Sequence, residues 1–415
     1  MNQKQHVVII GGGIIGTACA HFLTEANFQV TVVEKGSFAE GCSTGNCGLV
    51  CPSHVLPLAE PGAILNALKS MFQRNSPFRI KPRLDVSLWS WFAAFAKHCN
   101  KKDMLAAGHA IQPLLAQSLT DYCQLVESNV VDCEYQQQGL LFAYKSAAAF
   151  ESYAATNELL RNTFNEPAER YVGAELNELE PALKENLAGG WYYHEDAHLR
   201  PDKLLASWRK SLTDKGCTFL ENQTVNDFQK NNDSAVAVRT STSEISADHF
   251  VVATGATSPE WAAWLGFPIP IQPGKGYSLT MPRPQTCPKI PMILPETRVA
   301  VTPKESAYRL GSTMEFVGYD DSISDERLRL LTDGVQDYLI EPVTSPIERK
   351  WFGWRPMTSD GLPIIDRSKI LNNVWLAAGH NMLGLSMAPA TGRLVTDLIT
   401  GRSPSVDPRP YAHRR

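Results

Sequence analysis

The stretch HVVIIGGGIIGTACAHFLTEANFQVTVVEK, residues 6–35, decides how the rest of the chain is read. After His6 it opens with four β-branched apolar residues, the pattern of a parallel strand covered on both faces. Gly11-x-Gly13-x-x-Gly16 follows, then a helical pattern through Ala18, Ala20, Phe22 and Leu23, then a second strand, Gln29–Val33, that ends on Glu34. Gly11 permits a tight strand-to-helix turn, Gly13 lets backbone approach a pyrophosphate, and Gly16 lets the helix pack on the strand. The helix start presents free N–H groups and a positive dipole end to phosphates. Glu34 can accept hydrogen bonds from ribose hydroxyls and would repel a 2′-phosphate. The unit predicts dinucleotide binding on an α/β, Rossmann-like fold, and by itself suits FAD and NAD equally.

Two later stretches favour FAD. DHFVVATGATS (248–258) reads as a strand running into Ala253-Thr254-Gly255. NVWLAAGHNMLGLSMAPATGRLVTDLI (373–399) reads as a strand, a Gly-rich turn and a helix. A second turn of this kind could aim N–H groups at another electron-rich site, such as a flavin pyrimidine edge.

Composition narrows the partners. The chain has 415 residues, 43% hydrophobic and 20% charged, with a formal net charge of −4. That is globular composition with no nucleic-acid footprint. Basic residues do gather at Lys69, Arg74, Arg79, Lys81 and Arg83, and at Arg409, Arg414 and Arg415; they read as solvated faces. No basic-then-apolar leader precedes the first strand, and no apolar run reaches the roughly 18–20 residues that span a bilayer. The expectation is a cytoplasmic chain whose nine cysteines are reduced thiols.

Two clusters invite a metal reading. GCSTGNCGLVCPSH (41–54) spaces Cys42, Cys47 and Cys51 as C-x4-C-x3-C. An iron–sulfur loop of plant type has x2 in the last gap, and the other cysteines are scattered. His194-Glu195-Asp196-Ala197-His198 has the i, i+4 spacing of a zinc motif but precedes Arg200-Pro201 in a loop-like stretch. No metal is expected at either.

With these motifs in view, the sequence resembles the FAD-dependent D-amino-acid oxidase superfamily, and more closely the bacterial D-amino-acid dehydrogenases of the small-subunit type. Besides GGGIIG (11–16) and VVEK (32–35), the likeness rests on four segments. They are Pro57-x-x-x-Pro61-Gly62, ALKSMFQRNSP (67–77), WRPMTSDGLPIID (354–366) and GHNMLGLSMAPATG (379–392). The resemblance implies an FAD domain and an α+β substrate domain of the glycine oxidase kind. It assigns FAD contacts to Gly11, Gly13, Ile14, Ile15, Gly16, Glu34 and Lys35, and to Cys42, Ser43, Cys47, Gly48 and Leu49 in a flavin-lining segment. Val225 would meet the adenine, Gly255 lies in the second turn, and His380, Asn381, Met382, Leu383, Gly384 and Leu385 would meet the flavin ring. Cys42 and Cys47 then read as small wall residues, with Cys47 as a redox sensor or a flavin-bonded thiol the alternatives.

For the substrate, the resemblance implies a carboxylate bound by Arg355, in Gly353-Trp354-Arg355-Pro356, and a guanidinium fork suits a carboxylate. His380 would stabilise charge on the reduced flavin. Two departures bear on the pocket: Ala300 stands where the oxidases pair their Arg with a Tyr, for which Tyr277 is the substitute candidate, and Met382 replaces an Arg. The expected activity is oxidation of a D-amino acid, D-proline or a hydroxyproline isomer among the candidates, with electrons passed to a quinone or another non-oxygen acceptor. The alternatives are an oxygen-using glycine/sarcosine-type oxidase and a non-catalytic FAD-binding subunit.

The expected FAD domain is 1–56, 195–265 and 350–415; the substrate domain is 57–194 and 266–349. Residues 86–97, VSLWSWFAAFAK, are apolar and aromatic with basic flanks. They read first as a buried helix, and alternatively as a peripheral contact with the inner face of the cell membrane.

Overall fold

A computed structural model describes residues 4–413 apart from 39, 66 and 68–75. Most of ALKSMFQRNSP, with Lys69 and Arg74, and the terminal Arg414 and Arg415 lie outside the described residues.

The first unit forms as its pattern dictates: strand β1 (His6–Ile10), helix α1 (Ile14–Glu25) and strand β2 (Gln29–Val33). β1 runs parallel to β2 on one side and to His249–Val252 on the other. Covered on both faces, Val7, Val8 and Ile9 are 0% exposed, each contributing roughly 1.5–3 kcal/mol of burial. The sheet has six strands: Ile364–Arg367, Val374–Ala378, His249–Val252, β1, β2 and Thr218–Leu220, in that order. Only Ile364–Arg367 is antiparallel to its neighbour. Helix Gly384–Thr400 crosses α1 so closely that a Cβ on Gly392 would lie 2.5 Å from the Ala18 carbonyl.

A three-stranded meander, Val225–Asn231, Ser234–Thr240 and Glu244–Ser246, covers part of this sheet through Phe228 on Phe250 and Trp261. A second, nine-stranded sheet is built around Gln272–Met281, buried along its whole length. Helix Asp325–Val335 covers one face of it through the stripe Leu328, Leu331 and Val335.

Two expectations change. Strand Arg349–Met357 is hydrogen-bonded along Gln272–Met281 and so belongs to the nine-stranded sheet, not to the FAD unit that was expected to resume at 350. Helix Val86–His98 is neither fully buried nor free. Leu88 and Trp91 pack on Phe316 and Met357, while Trp89 is 49% exposed and Val86 and the preceding Leu84 more so. No described helix is long and apolar enough to cross a membrane.

Candidate active site

Four segments converge at the C-terminal edge of the six-stranded sheet. The first is the turn after β1. Gly11 takes φ +107, and a Cβ there would lie 2.5 Å from the Ala253 carbonyl oxygen, so only glycine fits. A Cβ on Gly16 would lie 1.9 Å from the carbonyl oxygen of Gly11. Gly13 differs: its missing side chain opens onto nothing nearer than Ser43 Oγ at 3.5 Å. Glu34 accepts from the N–H of Gly12 at 2.8 Å and of Gly36 at 3.2 Å, and its backbone ties to Leu220 and Gln223, just before the buried Val225. Lys35 beside it is exposed, and Gly255 takes φ +58 as the second turn begins.

The second segment is 42–49. Ser43 Oγ accepts from the N–H of Ile14 at 3.0 Å, which ties this segment to the phosphate turn. Cys42 bonds the backbone of Trp354 in both directions, at 3.1 and 3.2 Å. Cys47 packs against Gly311, and burial pushes its thiol up, away from the reactive thiolate. Leu49 is tied to the last helix by Ser386 Oγ, which donates to its carbonyl at 3.1 Å. The three cysteines of this stretch are all free and have different neighbours.

The third segment carries Arg355. Its guanidinium lies over Gly276, where a Cβ would fall 2.1 Å from Nη1. Nη1 donates to the Thr313 carbonyl at 2.8 Å and touches Met314 Sδ at 3.9 Å. That carbonyl is aimed by a bulge: the register of Tyr308–Phe316 on Gln272–Met281 shifts there, and Thr313 takes φ 58, unusual for a β-branched residue. Among the described residues no carboxylate pairs with Arg355, and burial lowers its pKa.

The fourth segment is 379–385. Asn381 clamps the turn, accepting from the N–H of Thr358 at 2.9 Å and donating to the Gly361 carbonyl at 2.9 Å. Its own N–H reaches the Pro356 carbonyl at 3.2 Å, so the turn abuts Arg355. His380 is buried against Thr391 Oγ1 at 3.0 Å, and burial holds its pKa down to about 3, so its ring is neutral. Met382 is 40% exposed, and Leu383 and Gly384 begin the helix in which Leu385 is buried.

Tyr277 does not join this group. Side chains alternate along a strand. Gly274, Gly276 and Ser278 face Arg355 and the 42–49 segment, whereas Tyr277 faces the opposite core. There its hydroxyl donates to Glu315 at 2.8 Å; burial, then that bond, raises its pKa. The HEDAH stretch does not assemble either: His194 pairs with Glu169 at the surface, and His198 is buried elsewhere. Asp196 instead accepts from Ser53 N–H and Oγ at 3.1 and 2.6 Å, within 4.8 Å of ligand atoms of Cys51 and His54. Burial pushes this carboxyl up to about 7.

Against known proteins, residues 6–398 match the family model described as FAD dependent oxidoreductase, DAO. The chain belongs to the DAO family of FAD-dependent oxidoreductases. A D-amino acid dehydrogenase of Vibrio vulnificus strain CMCP6 is 31% identical over 412 residues, covering 95% of each chain. Among solved structures, glycine oxidase from Geobacillus kaustophilus superposes with a TM-score of 0.77 at 22% identity, covering 99% of each chain. L-proline dehydrogenase from P. horikoshii does so with 0.73 at 22%, over 99% of this chain and 97% of that one.

The residues present fit the FAD of this DAO enzyme. Among the described helices of eight or more residues, most start with a capping side chain, from Asp85, Asn100, Ser146 or Ser324. Helix Pro201–Asp214 has Asp202 in its first turn. Among them only α1 and Gly384–Thr400 have neither a capping N-cap side chain nor an acid in the first turn, and both start at glycines where a Cβ would meet nothing nearer than 3.5 Å. Those two starts are left for an electron-rich ligand. Sequence reasoning missed Gly12, which Phe38 covers at 2.0 Å from a would-be Cβ, and the buried cations Arg309 and Lys304. The signal for the latter was a charge inside otherwise apolar strands, YRLGS and VAVTPK.

Proposed function

We propose that this FAD enzyme oxidises a D-amino acid at its α-carbon to the imine, which water hydrolyses to a 2-oxo acid and ammonia. The observation that carries the reading is Arg355: a half-buried guanidinium with one backbone carbonyl and no carboxylate partner among the described residues. Such a group binds an incoming carboxylate bidentately and holds the α-carbon in place. The printed name of the Vibrio relative supports the D-amino acid class. Gly11–Gly16, Glu34 and Val225 would hold the adenosine and pyrophosphate of FAD. Residues 42–49 and 380–385 would hold the ring. FAD supplies the electron sink, accepting the α-hydrogen as hydride. The protein's share is orientation: Arg355 fixes the carboxylate, and neutral His380 lines the ring without acting as an acid.

We assign the electrons to a quinone or another non-oxygen acceptor, taken up at a membrane surface. Exposed Leu84, Val86 and Trp89, beside Lys81 and Lys97, support that docking face. The likeness to glycine oxidase favours a second reading, in which oxygen is the acceptor. Anaerobic addition of D- and L-amino acids to the purified holoenzyme tests these readings. Bleaching by D-isomers, with dye turnover and little peroxide in air, is expected. Stoichiometric peroxide would make it an oxidase, and bleaching without turnover a flavin-carrying subunit. Loss of dye turnover with membranes but not with soluble dye in Trp89→Ser is the mark of the docking face.

A further inference from the structure

Four consecutive carbonyls of the 42–49 segment are held from one side. Those of Thr44 and Asn46 both accept from Arg309 Nη1, at 3.2 and 2.6 Å. That of Gly45 accepts from Ser278 Oγ at 2.9 Å, and that of Cys47 from Lys304 Nζ at 3.3 Å. All three donors stand on the nine-stranded sheet or at the end of one of its strands. In a trans peptide the N–H that follows a carbonyl points the opposite way. The N–H groups of residues 45–48 are therefore turned away from that sheet. The Asn46 N–H closes on the Ser43 carbonyl at 3.4 Å, and that of Gly48 on Asn46 Oδ1 at 2.8 Å. Those of Gly45 and Cys47 have no partner among the described residues.

The two cations are themselves unusual. Arg309 and Lys304 are each 2% exposed. Among the described residues, Arg309 has no carboxylate nearer than Asp202 at 4.0 Å, and Lys304 bonds only the carbonyls of Cys47 and Leu199. Buried charge without a close counter-charge destabilises a fold, so its net effect falls on what lies beside it. The segment between them and the cofactor spans a defined interval. At one end Ser43 touches the phosphate turn; at the other, Cys47 has Arg355 as a charged neighbour. The two free N–H groups lie on the segment that runs from the turn after β1 to Arg355, the interval an isoalloxazine would occupy.

We propose that Arg309 and Lys304 are positioning residues for the flavin: they hold the carbonyls of Thr44, Asn46 and Cys47 on the sheet side, turn the Gly45 and Cys47 N–H groups to the isoalloxazine, and so favour its reduced, negatively charged form. Oriented amides over a buried positive field stabilise negative charge without reorganising. The proposal rests on FAD binding alone, not on the identity of the substrate.

The midpoint potential of the holoenzyme flavin, read against a reference dye during slow anaerobic reduction, tests it without turnover. Arg309→Met and Lys304→Met are expected to retain FAD and to shift the reduced-to-oxidised ratio at least tenfold toward oxidised. For a two-electron couple that is about 30 mV downward. Arg309→Lys should recover part of the shift. Ser278→Ala frees one carbonyl and removes no charge, so a smaller shift of the same sign is expected; it decides the matter if the methionine variants lose FAD. Unchanged or raised potentials in the variants that hold FAD overturn the proposal.

Discussion

Arg327, buried, and Arg355, half-buried, lie against opposite faces of Gln272–Met281, and they are furnished differently. Arg327 has a counter-charge and two carbonyls. Its guanidinium pairs with Glu315 at 3.2 Å and donates to the carbonyls of Ser76 and Pro77 at 2.7 and 2.8 Å, while Glu315 also takes the Tyr277 hydroxyl. Arg355 has one carbonyl and a glycine beneath it. A cation with its own counter-charge holds the protein together; one without a counter-charge is open to a charged group that arrives. The comparison separates a structural arginine, on helix Asp325–Val335, from the one proposed to bind substrate, on strand Arg349–Met357, where charge alone would not.

The sharpest way to break it is to exchange the losses. Arg327→Met leaves Glu315 buried without its main partner and is expected to destabilise by about 3–5 kcal/mol, seen as a lower thermal midpoint. Activity per folded molecule should survive. Arg355→Met removes an unpaired charge, so the thermal midpoint should hold or rise. Its kcat/KM for amino acids should fall about a hundredfold or more, since truncating one partner of a buried charged contact costs roughly 2–5 kcal/mol. FAD content should stay at the level of the parent. If the two variants behaved alike in both assays, the distinction would fail.

A smaller effect belongs to Tyr277→Phe. It removes one hydroxyl from the Glu315 side, so stability should fall by roughly 1–3 kcal/mol while KM stays unchanged. A raised KM would return Tyr277 to the substrate.

The mildest test is one of pH. Burial, then the neighbouring Arg309, pulls Lys304 down to about 7 from its ordinary 10.5. A lysine with a lowered folded-state pKa prefers to be neutral when folded. Its unfavourable contribution is absent above about 10.5 and grows as pH falls toward 7. Lys304→Met has no such dependence. The difference in thermal midpoint between parent and variant should therefore move in the parent's favour as pH rises from 7 to 10.5, and a flat difference would remove Lys304 from the list of strained cations.

How much of this could be read in advance follows from the range of the interactions. β1, α1 and β2 are set by local period and by glycines only a few residues apart, so their limits could be drawn from residues 6–35 alone. Arg355 stands out through the resemblance at Gly-Trp-Arg-Pro, and the structure shows it without a carboxylate partner among the described residues. Which face Tyr277 takes could not be read in advance, because it depends on the register of two neighbouring strands and on a bulge at Thr313. The same holds for Arg309 and Lys304, whose partners in the 42–49 segment lie more than 250 positions earlier in the chain. The boundary expected at 350 failed for a related reason: a strand's sheet is chosen by its partner, and Arg349–Met357 found Gln272–Met281.

The six-stranded sheet has a consequence for how the molecule comes to exist. β1 is made first, yet one of its neighbours is His249–Val252, and the helix that completes the cofactor wall is Gly384–Thr400. A ribosome releasing this chain exposes the GGGIIG turn long before anything can close over it. The nascent chain must wait with an apolar strand unpaired on one side, a state that invites aggregation and chaperone attention. If the helix start at Gly384 holds the flavin as proposed, free FAD has no finished pocket to enter until that turn has emerged, so cofactor loading follows the synthesis of Gly384–Thr400.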